Sequence, residues 1–242
     1  GAPFYVMERV KGIILRTPEH PGLVLDEPYM SMACGTLVET LAEIHGLDVE
    51  AIGLQNLGRP AGYIRRQVEG WTARYLKAQT DEVPAIETMS AWLLNHLPKD
   101  GKATLIHNDY KYDNLVLDPA DPNRALAVLD WEMCTLGDPL MDLGTTLAYW
   151  VDADDPAPMQ SLPFGPTMLP GNLSRGELVD QYERLSGRAI ENRVFYYVYG
   201  LFKVAGIAQQ IYGRFARGQT KDPRFAMMID AVRMMGRQGL AA

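Results

Sequence analysis

Two cysteines, Cys34 and Cys134, are all that 242 residues contain, and neither lies in a C-x-x-C spacing, which excludes a disulfide framework and a structural zinc site. That scarcity fits a reducing, cytoplasmic setting. Basic residues are also in short supply: 23 Lys and Arg stand against 30 Asp and Glu, for a net charge of −7. Such a balance argues against a nucleic-acid or anionic-membrane surface, leaving room only for a local basic pocket. No apolar run approaches the roughly 18 residues of a membrane helix, and no signal-peptide pattern opens the chain. What is abundant is core material, since 47% of the residues are hydrophobic, enough for one large domain or two small ones.

The first residue is Gly, and FYVMERV with apolar Phe4, Val6 and Val10 reads as a strand. A strand that starts at once without a partner predicts that an upstream segment exists. Residues 12–28 carry Gly and Pro punctuation and read as a connecting loop. In MACGTLVETLAEIHGLD the apolar residues recur at steps of three and four, with Gly46 as the stop. The same amphipathic pattern recurs over 61–79 and 84–97. The period then changes, because TLIH, NLVLD and RALAVLDWE are short, β-branched or Leu-rich, and separated by turn residues. Helices return at 139–150, 174–186, 191–217 and 223–237, around a Pro-rich loop at 156–170. The fold class is α+β, mostly α, with a small β insert in a helical lobe.

That insert holds LIHNDYKYDNLVLD at 105–118, with His107, Asp109 and Asn114 in the order H-x-D-x-x-x-x-N, and Asp130 closing the run AVLDWE. Order and separation match the kinase catalytic-loop and metal-aspartate signatures. Phosphoryl transfer needs a carboxylate that takes a proton from an aligned hydroxyl, a role open to Asp109. Asn114 and Asp130 offer the hard oxygen donors that Mg²⁺ prefers. Lys111 can set its ammonium against a transferred phosphate, or lie solvated on the loop. The contrary reading is that Asp and Asn are ordinary turn residues; it is preferred for Asp113 but not for the full set. His107 reads as a residue that packs and hydrogen-bonds within the loop.

HNDYKYDN at 107–114, VLDWE at 128–132 and GDPLMDLG at 137–144 resemble the aminoglycoside phosphotransferase family, the choline kinase-like group of the protein-kinase-like fold. The closest likeness is to the kinase domain found ahead of acyl-CoA dehydrogenase domains. The resemblance implies an ATP- and Mg²⁺-dependent kinase of a small-molecule hydroxyl, with Asp109 as base and Asn114 and Asp130 as metal ligands. It implies that 1–11 is the interlobe hinge strand, where the backbone of Glu8 and Val10 holds adenine. It assigns 12–242 to the helical C-terminal lobe, with a catalytic loop at 105–118 and a metal-aspartate strand at 125–132. Asp142 matches the family aspartate that braces the catalytic loop, whereas Asp138, before Pro139, reads as a helix cap.

Two departures qualify this. Asp130 is followed by Trp131 and Glu132 where protein kinases carry Phe and Gly, which favours a constitutive small-molecule kinase. No glycine-rich phosphate loop and no strand lysine paired with a helix glutamate precede the hinge, so the ATP-clamping lobe is expected to lie outside this chain. A partner domain of the acyl-CoA dehydrogenase type is expected in the parent protein, and hydroxyacyl-CoA or an aminoglycoside-like molecule as the acceptor. The alternatives are a non-catalytic nucleotide- or acyl-CoA-binding module of the same fold, and a metal-dependent phosphohydrolase.

Arg65, Arg66, Arg193, Lys203, Arg214 and Arg217 read as solvated helix faces, with a pocket for an anionic acceptor as the other reading. Asp152, Asp154 and Asp155 read as a solvated acidic loop, or else as a seat for a cationic amine. VFYYVYG at 194–200 and the Met-rich MMIDAVRMMG read as packing, and His45 as a structural histidine.

Overall fold

A computed structural model describes residues 8–162 and 164–242. Three helices come first: α1 (Glu27–Gly46), α2 (Tyr63–Ala78) and α3 (Pro84–Asn95). Four short strands follow, β1 (Thr104–Ile106), β2 (Leu115–Leu117), β3 (Ala125–Val128) and β4 (Thr135–Gly137). The chain closes with α4 (Pro139–Ala148), α5 (Ala157–Gln160), α6 (Arg175–Ser186), α7 (Arg193–Ala216) and α8 (Met228–Ala241). The helical lobe with a small β insert is therefore the observed architecture.

The helix ends follow local chemistry. Asp26 caps α1 by accepting from the Tyr29 N–H at 3.0 Å, so the helix begins within the segment expected to be loop. Ser174 and Glu177 form a reciprocal capping box at the start of α6, satisfying two N–H groups that a helix start leaves unpaired. Helix α7 is apolar on most of its circumference, with Phe195, Tyr199, Leu201, Phe202 and Ala205 all buried. A helix of that kind must run through the interior, and α7 packs against α2, α3, α4 and α8. It crosses α4 closely: a Cβ on Gly200 would fall on the carbonyl oxygen of Gly144, and one on Gly144 would fall on the carbonyl of Tyr196. Only glycine permits this backbone contact.

The strands form two antiparallel pairs. β1 pairs with β4 in the register Leu105 to Leu136, and β2 pairs with β3 in the register Val116 to Ala127. β4 was not foreseen, since three residues before a proline carry little periodicity. The metal-aspartate strand expected over 125–132 ends at Val128; Asp130 sits beyond it in a left-handed conformation, leading into a 3-10 turn at Trp131–Met133. Part of the expected opening strand lies outside the described residues. Within them Glu8–Lys11 form no strand, and the first pairing is an antiparallel bridge from Ile13 to Leu117.

The acidic loop is not solvated as a whole. Asp155 is buried, and both its oxygens accept from Arg175 at 2.6 Å in a bidentate pair. Arg175 also donates to the Trp150 carbonyl at 2.8 Å, meets Asp152 at 3.4 Å and lies over the Tyr197 ring. Among the described residues no helix is long and apolar enough to cross a membrane.

Candidate active site

Between β1 and β2 the chain turns through the polar cluster and closes in a 3-10 turn at Tyr112–Asn114. Packing from the helices holds this turn. The Tyr110 hydroxyl donates to the Leu37 carbonyl on α1 at 2.9 Å, and the Tyr110 carbonyl accepts from Thr146 on α4 at 2.9 Å. Asp138 caps α4 by accepting from the Leu140 N–H at 2.8 Å, with Pro139 at the first helical position. The cap sets Asp142 one turn further on, beneath the loop.

Asp142 is fully buried. Its Oδ2 accepts from the His107 N–H at 2.6 Å and its Oδ1 from the Asn108 N–H at 2.7 Å, so one carboxylate grips two successive loop amides. Burial alone would raise its pKa, but the bond and charge of His45, the nearby Lys203 ammonium and the His107 N–H outweigh it and bring the carboxyl below its ordinary value. His45 in turn reaches Asp142 through Nε2 at 3.2 Å and the Tyr182 hydroxyl through Nδ1 at 2.7 Å.

His107 ties the two halves of the site together. Its Nδ1 accepts from the Asp109 N–H at 3.2 Å, and its Nε2 faces the Leu129 carbonyl at 2.6 Å. A backbone N–H can only donate and a carbonyl can only accept, so the ring is neutral with its proton on Nε2. The Leu129 N–H also donates to the Asn114 carbonyl at 2.8 Å. The residue before Asp130 is thus anchored to the loop from both sides.

The described non-glycine residues with positive φ are two, Asn108 at 69° and Asp130 at 59°. They flank the chemistry, one preceding Asp109 and one following Leu129. Such conformations are uncommon outside glycine, although Asn and Asp tolerate them best, and they persist where the surroundings over-determine them.

Asp109 Oδ2 accepts from Lys111 at 2.7 Å and from the Asn114 amide at 3.2 Å, no further bond of this length reaches Oδ1 among the described residues, and the Tyr149 phenol, buried beside this carboxylate, is pushed well above its ordinary pKa. Lys111 lies over the Tyr149 ring, 4.5 Å from its centre, so its ammonium is paired and half-buried, not loose on the loop. The Asn114 amide nitrogen also donates to the Asp109 carbonyl at 2.8 Å, which turns Oδ1 of Asn114 away without a partner among the described residues. The Asp130 carboxylate caps nothing. The Asn114 amide oxygen and the Asp130 carboxylate are of the type taken by a hard divalent ion that uses few side chains and completes its shell with phosphate and water. Among the described residues no group of three or more His, Cys, Asp or Glu could hold a metal. Asp113 lies in the 3-10 turn, its pKa raised by partial burial. Glu8 and Val10 are exposed, and no hydrogen bond or ion pair joins them to this cluster among the described residues.

Lys203 was missed as a buried group. Only 1% exposed, it projects from α7 to the Asn108 carbonyl at 2.5 Å, the Asn108 Oδ1 at 3.2 Å and the Thr145 hydroxyl at 3.3 Å. A cleft of about 270 Å³ opens beside it, lined by Arg59, Tyr63, Arg66, Trp71 and Arg74 among others and by no carboxylate. Arg66 is committed to the carbonyls of Arg59 and Ala61, and Arg74 lies over the Trp71 ring. Arg65, by contrast, is the exposed helix residue expected, paired with Glu69.

The profile of the phosphotransferase enzyme family matches residues 1–173. Mouse acyl-CoA dehydrogenase family member 10 is 39% identical over 222 residues, which span 90% of this chain but 20% of that protein's length. A Ralstonia eutropha protein of known structure, assigned provisionally to the aminoglycoside phosphotransferases, is 30% identical with a TM-score of 0.84, the match covering 97% of this chain and 71% of that one. Spectinomycin phosphotransferase, solved in complex with ADP and spectinomycin, shares the fold at 13% identity and a TM-score of 0.52, over 96% of this chain and 69% of its own.

Proposed function

The chain belongs to the phosphotransferase enzyme family, and on that footing we propose that it is the catalytic portion of an ATP-dependent kinase that phosphorylates a hydroxyl of a small molecule. The observation that carries the reading is selective freedom. From His107 to Tyr112 every side chain is hydrogen-bonded, yet Asp109 Oδ1, Asn114 Oδ1 and the carboxylates of Asp113 and Asp130 accept no hydrogen bond among the described residues.

In this reading Asp109 Oδ1 orients the acceptor hydroxyl and takes its proton as the bond to phosphorus forms. Lys111, resting on Oδ2, puts positive charge where phosphoryl oxygens gather. Asn114 and Asp130 hold Mg²⁺, which when bound neutralises phosphate charge. His107 and Asp142 keep the base and the metal residues in register, and the exposed backbone at Glu8 and Val10 receives adenine. The relatives' greater length supports a parent protein that adds a preceding ATP-clamping lobe and a domain of acyl-CoA dehydrogenase type.

The cleft beside Asn108 favours one acceptor class over another. Its lining is rich in donors and free of carboxylates, which suits an anionic acceptor such as a hydroxyacyl-CoA and repels a polycationic aminoglycoside. The test is turnover of Mg²⁺-ATP by the full-length protein against hydroxyacyl-CoAs, aminoglycosides and amino alcohols. Phosphorylated hydroxyacyl-CoA is the expected product. Ligand-induced stabilisation without product from any acceptor would replace the kinase by a binding module, and phosphate release that needs no acceptor alcohol would replace it by a hydrolase.

A further inference from the structure

We propose that Lys203 is a positioning residue for phosphoryl transfer: its buried ammonium holds the Asn108 carbonyl and so fixes the direction in which Asp109 presents its free oxygen to the acceptor. The inference rests on the reading of Asp109 as the base. It concerns a residue outside every motif of the site, on a helix that begins 79 positions after Asn114.

The peptide joining Asn108 to Asp109 is clamped at both polar ends. Its carbonyl accepts from Lys203 at 2.5 Å, and its N–H donates to His107 at 3.2 Å. Asn108 is gripped at its other atoms too. Its own N–H goes to Asp142, its side-chain oxygen accepts from Tyr63 and Lys203, and its side-chain nitrogen donates to the Met133 carbonyl. A left-handed asparagine carries an energetic cost of its own, and these bonds offset it. Because the peptide is planar, rotating its carbonyl also rotates the N–H of Asp109 and the start of its side chain. Losing the Lys203 bond therefore releases the base without removing it.

A buried lysine is an expensive way to hold a carbonyl, because burial penalises its charge. The penalty is visible. Burial, opposed by Asp142 and Asp109 and joined by Lys111 and Arg74, leaves the pKa of Lys203 at about 8. These charged groups face it from α4 (Asp142), the catalytic loop (Asp109 and Lys111) and α2 (Arg74). An uncharged donor such as glutamine would supply a hydrogen bond without that penalty. The ammonium does more, since three donors on one atom join Asn108 to Thr145 and bring positive charge toward Asp109.

The test uses the full-length protein labelled with ¹³C at lysine Cε. One lysine should titrate near pH 8, and its signal should disappear in Lys203→Met. With the best acceptor from the turnover panel, kcat should fall on the alkaline side with the same midpoint. Lys203→Arg, whose side chain stays protonated, should carry that limb up by about one pH unit or more while changing KM for ATP less than about twofold. Lys203→Met should lower kcat by about tenfold or more with KM little changed. Should both variants fail to fold, Thr145→Val, which removes one acceptor from the ammonium, should move the midpoint downward. A kcat that does not fall at alkaline pH, a limb that Lys203→Arg or Thr145→Val leaves in place, or a loss confined to KM overturns the proposal. If no acceptor is phosphorylated, the kinase reading falls by itself, and the lysine titration, which needs no turnover, still decides whether the ammonium is held as proposed.

Discussion

Two clusters of buried charge lie in this lobe, and they are built to opposite rules. Around Arg175 every strong group is matched: Asp155 is met by both ends of the guanidinium, the Trp150 carbonyl takes another donor, and an aromatic face covers the rest. Around Asp109 an equally dense network of bonds stops short, leaving oxygens of Asp109, Asn114 and Asp130 without partners. The first arrangement contributes only to holding the segment after α4 against α6. The second spends its bonds on backbone, through Asp142, His107 and Lys203, and reserves side-chain oxygens for something else. The first network closes on itself, whereas the second leaves oxygens open, and that openness is what the proposed chemistry draws on.

The contrast breaks most sharply at Asp109. Asp109→Asn should reduce kcat by about 10²- to 10⁴-fold while leaving the thermal midpoint close to that of the parent, measured by steady-state kinetics beside circular dichroism. Unchanged turnover would remove Asp109 as the base. In the closed cluster the reverse is expected: Arg175→Met strands Asp155 in the interior and should cost about 3–5 kcal/mol in urea unfolding, with kcat per folded molecule unaltered. Adding Asp155→Leu to that variant should restore much of the loss, because replacing both partners removes the stranded charge.

Asp142 stands between the two rules and separates them by pH. Its folded pKa lies below the ordinary value of 3.8, so its contribution to stability is present above that value and is lost as pH falls through the folded pKa. Urea midpoints taken downward from pH 5 should fall more steeply in the parent than in Asp142→Asn, and equal slopes would deny Asp142 its role as brace. The smallest effect should come from the surface. Arg193 pairs with Asp180 at 2.7 Å but is 44% exposed, so Arg193→Ala should change stability by less than about 1 kcal/mol and leave turnover alone.

Much of this is legible in the amino-acid sequence. The change from helical to strand period located the insert, and the spacing marked Asp109 and Asn114, which a hydrogen bond joins at 3.2 Å, and Asp130, whose preceding residue Leu129 is bonded to Asn114 through the backbone. Asp138 and Asp142 were separable because a residue before Pro139 has the form of a cap, whereas a residue one turn later can face inward. Legibility failed where contact crosses long stretches of chain. Nothing in the pattern around Lys203 distinguishes a lysine that snorkels to solvent from one buried against Asn108; the distinction lies in the glycine crossing of α4 and α7, which joins Gly144 to Gly200. Asp155 was misread for the same reason, since its partner lies 20 residues on. The left-handed backbone of Asn108 and Asp130 escaped notice because asparagine and aspartate are ordinary in turns.

The position of Lys203 also sets a clock. It lies 95 residues beyond Asn108, an interval that takes about 5 to 20 seconds to synthesise at roughly 5–20 residues per second. For that time a growing chain carries the complete motif with its clamp still unmade. A product that terminates ahead of α7 would display every signature residue of the loop with the Asn108 carbonyl unheld, so making the motif and fixing its geometry are separate events in the life of this chain.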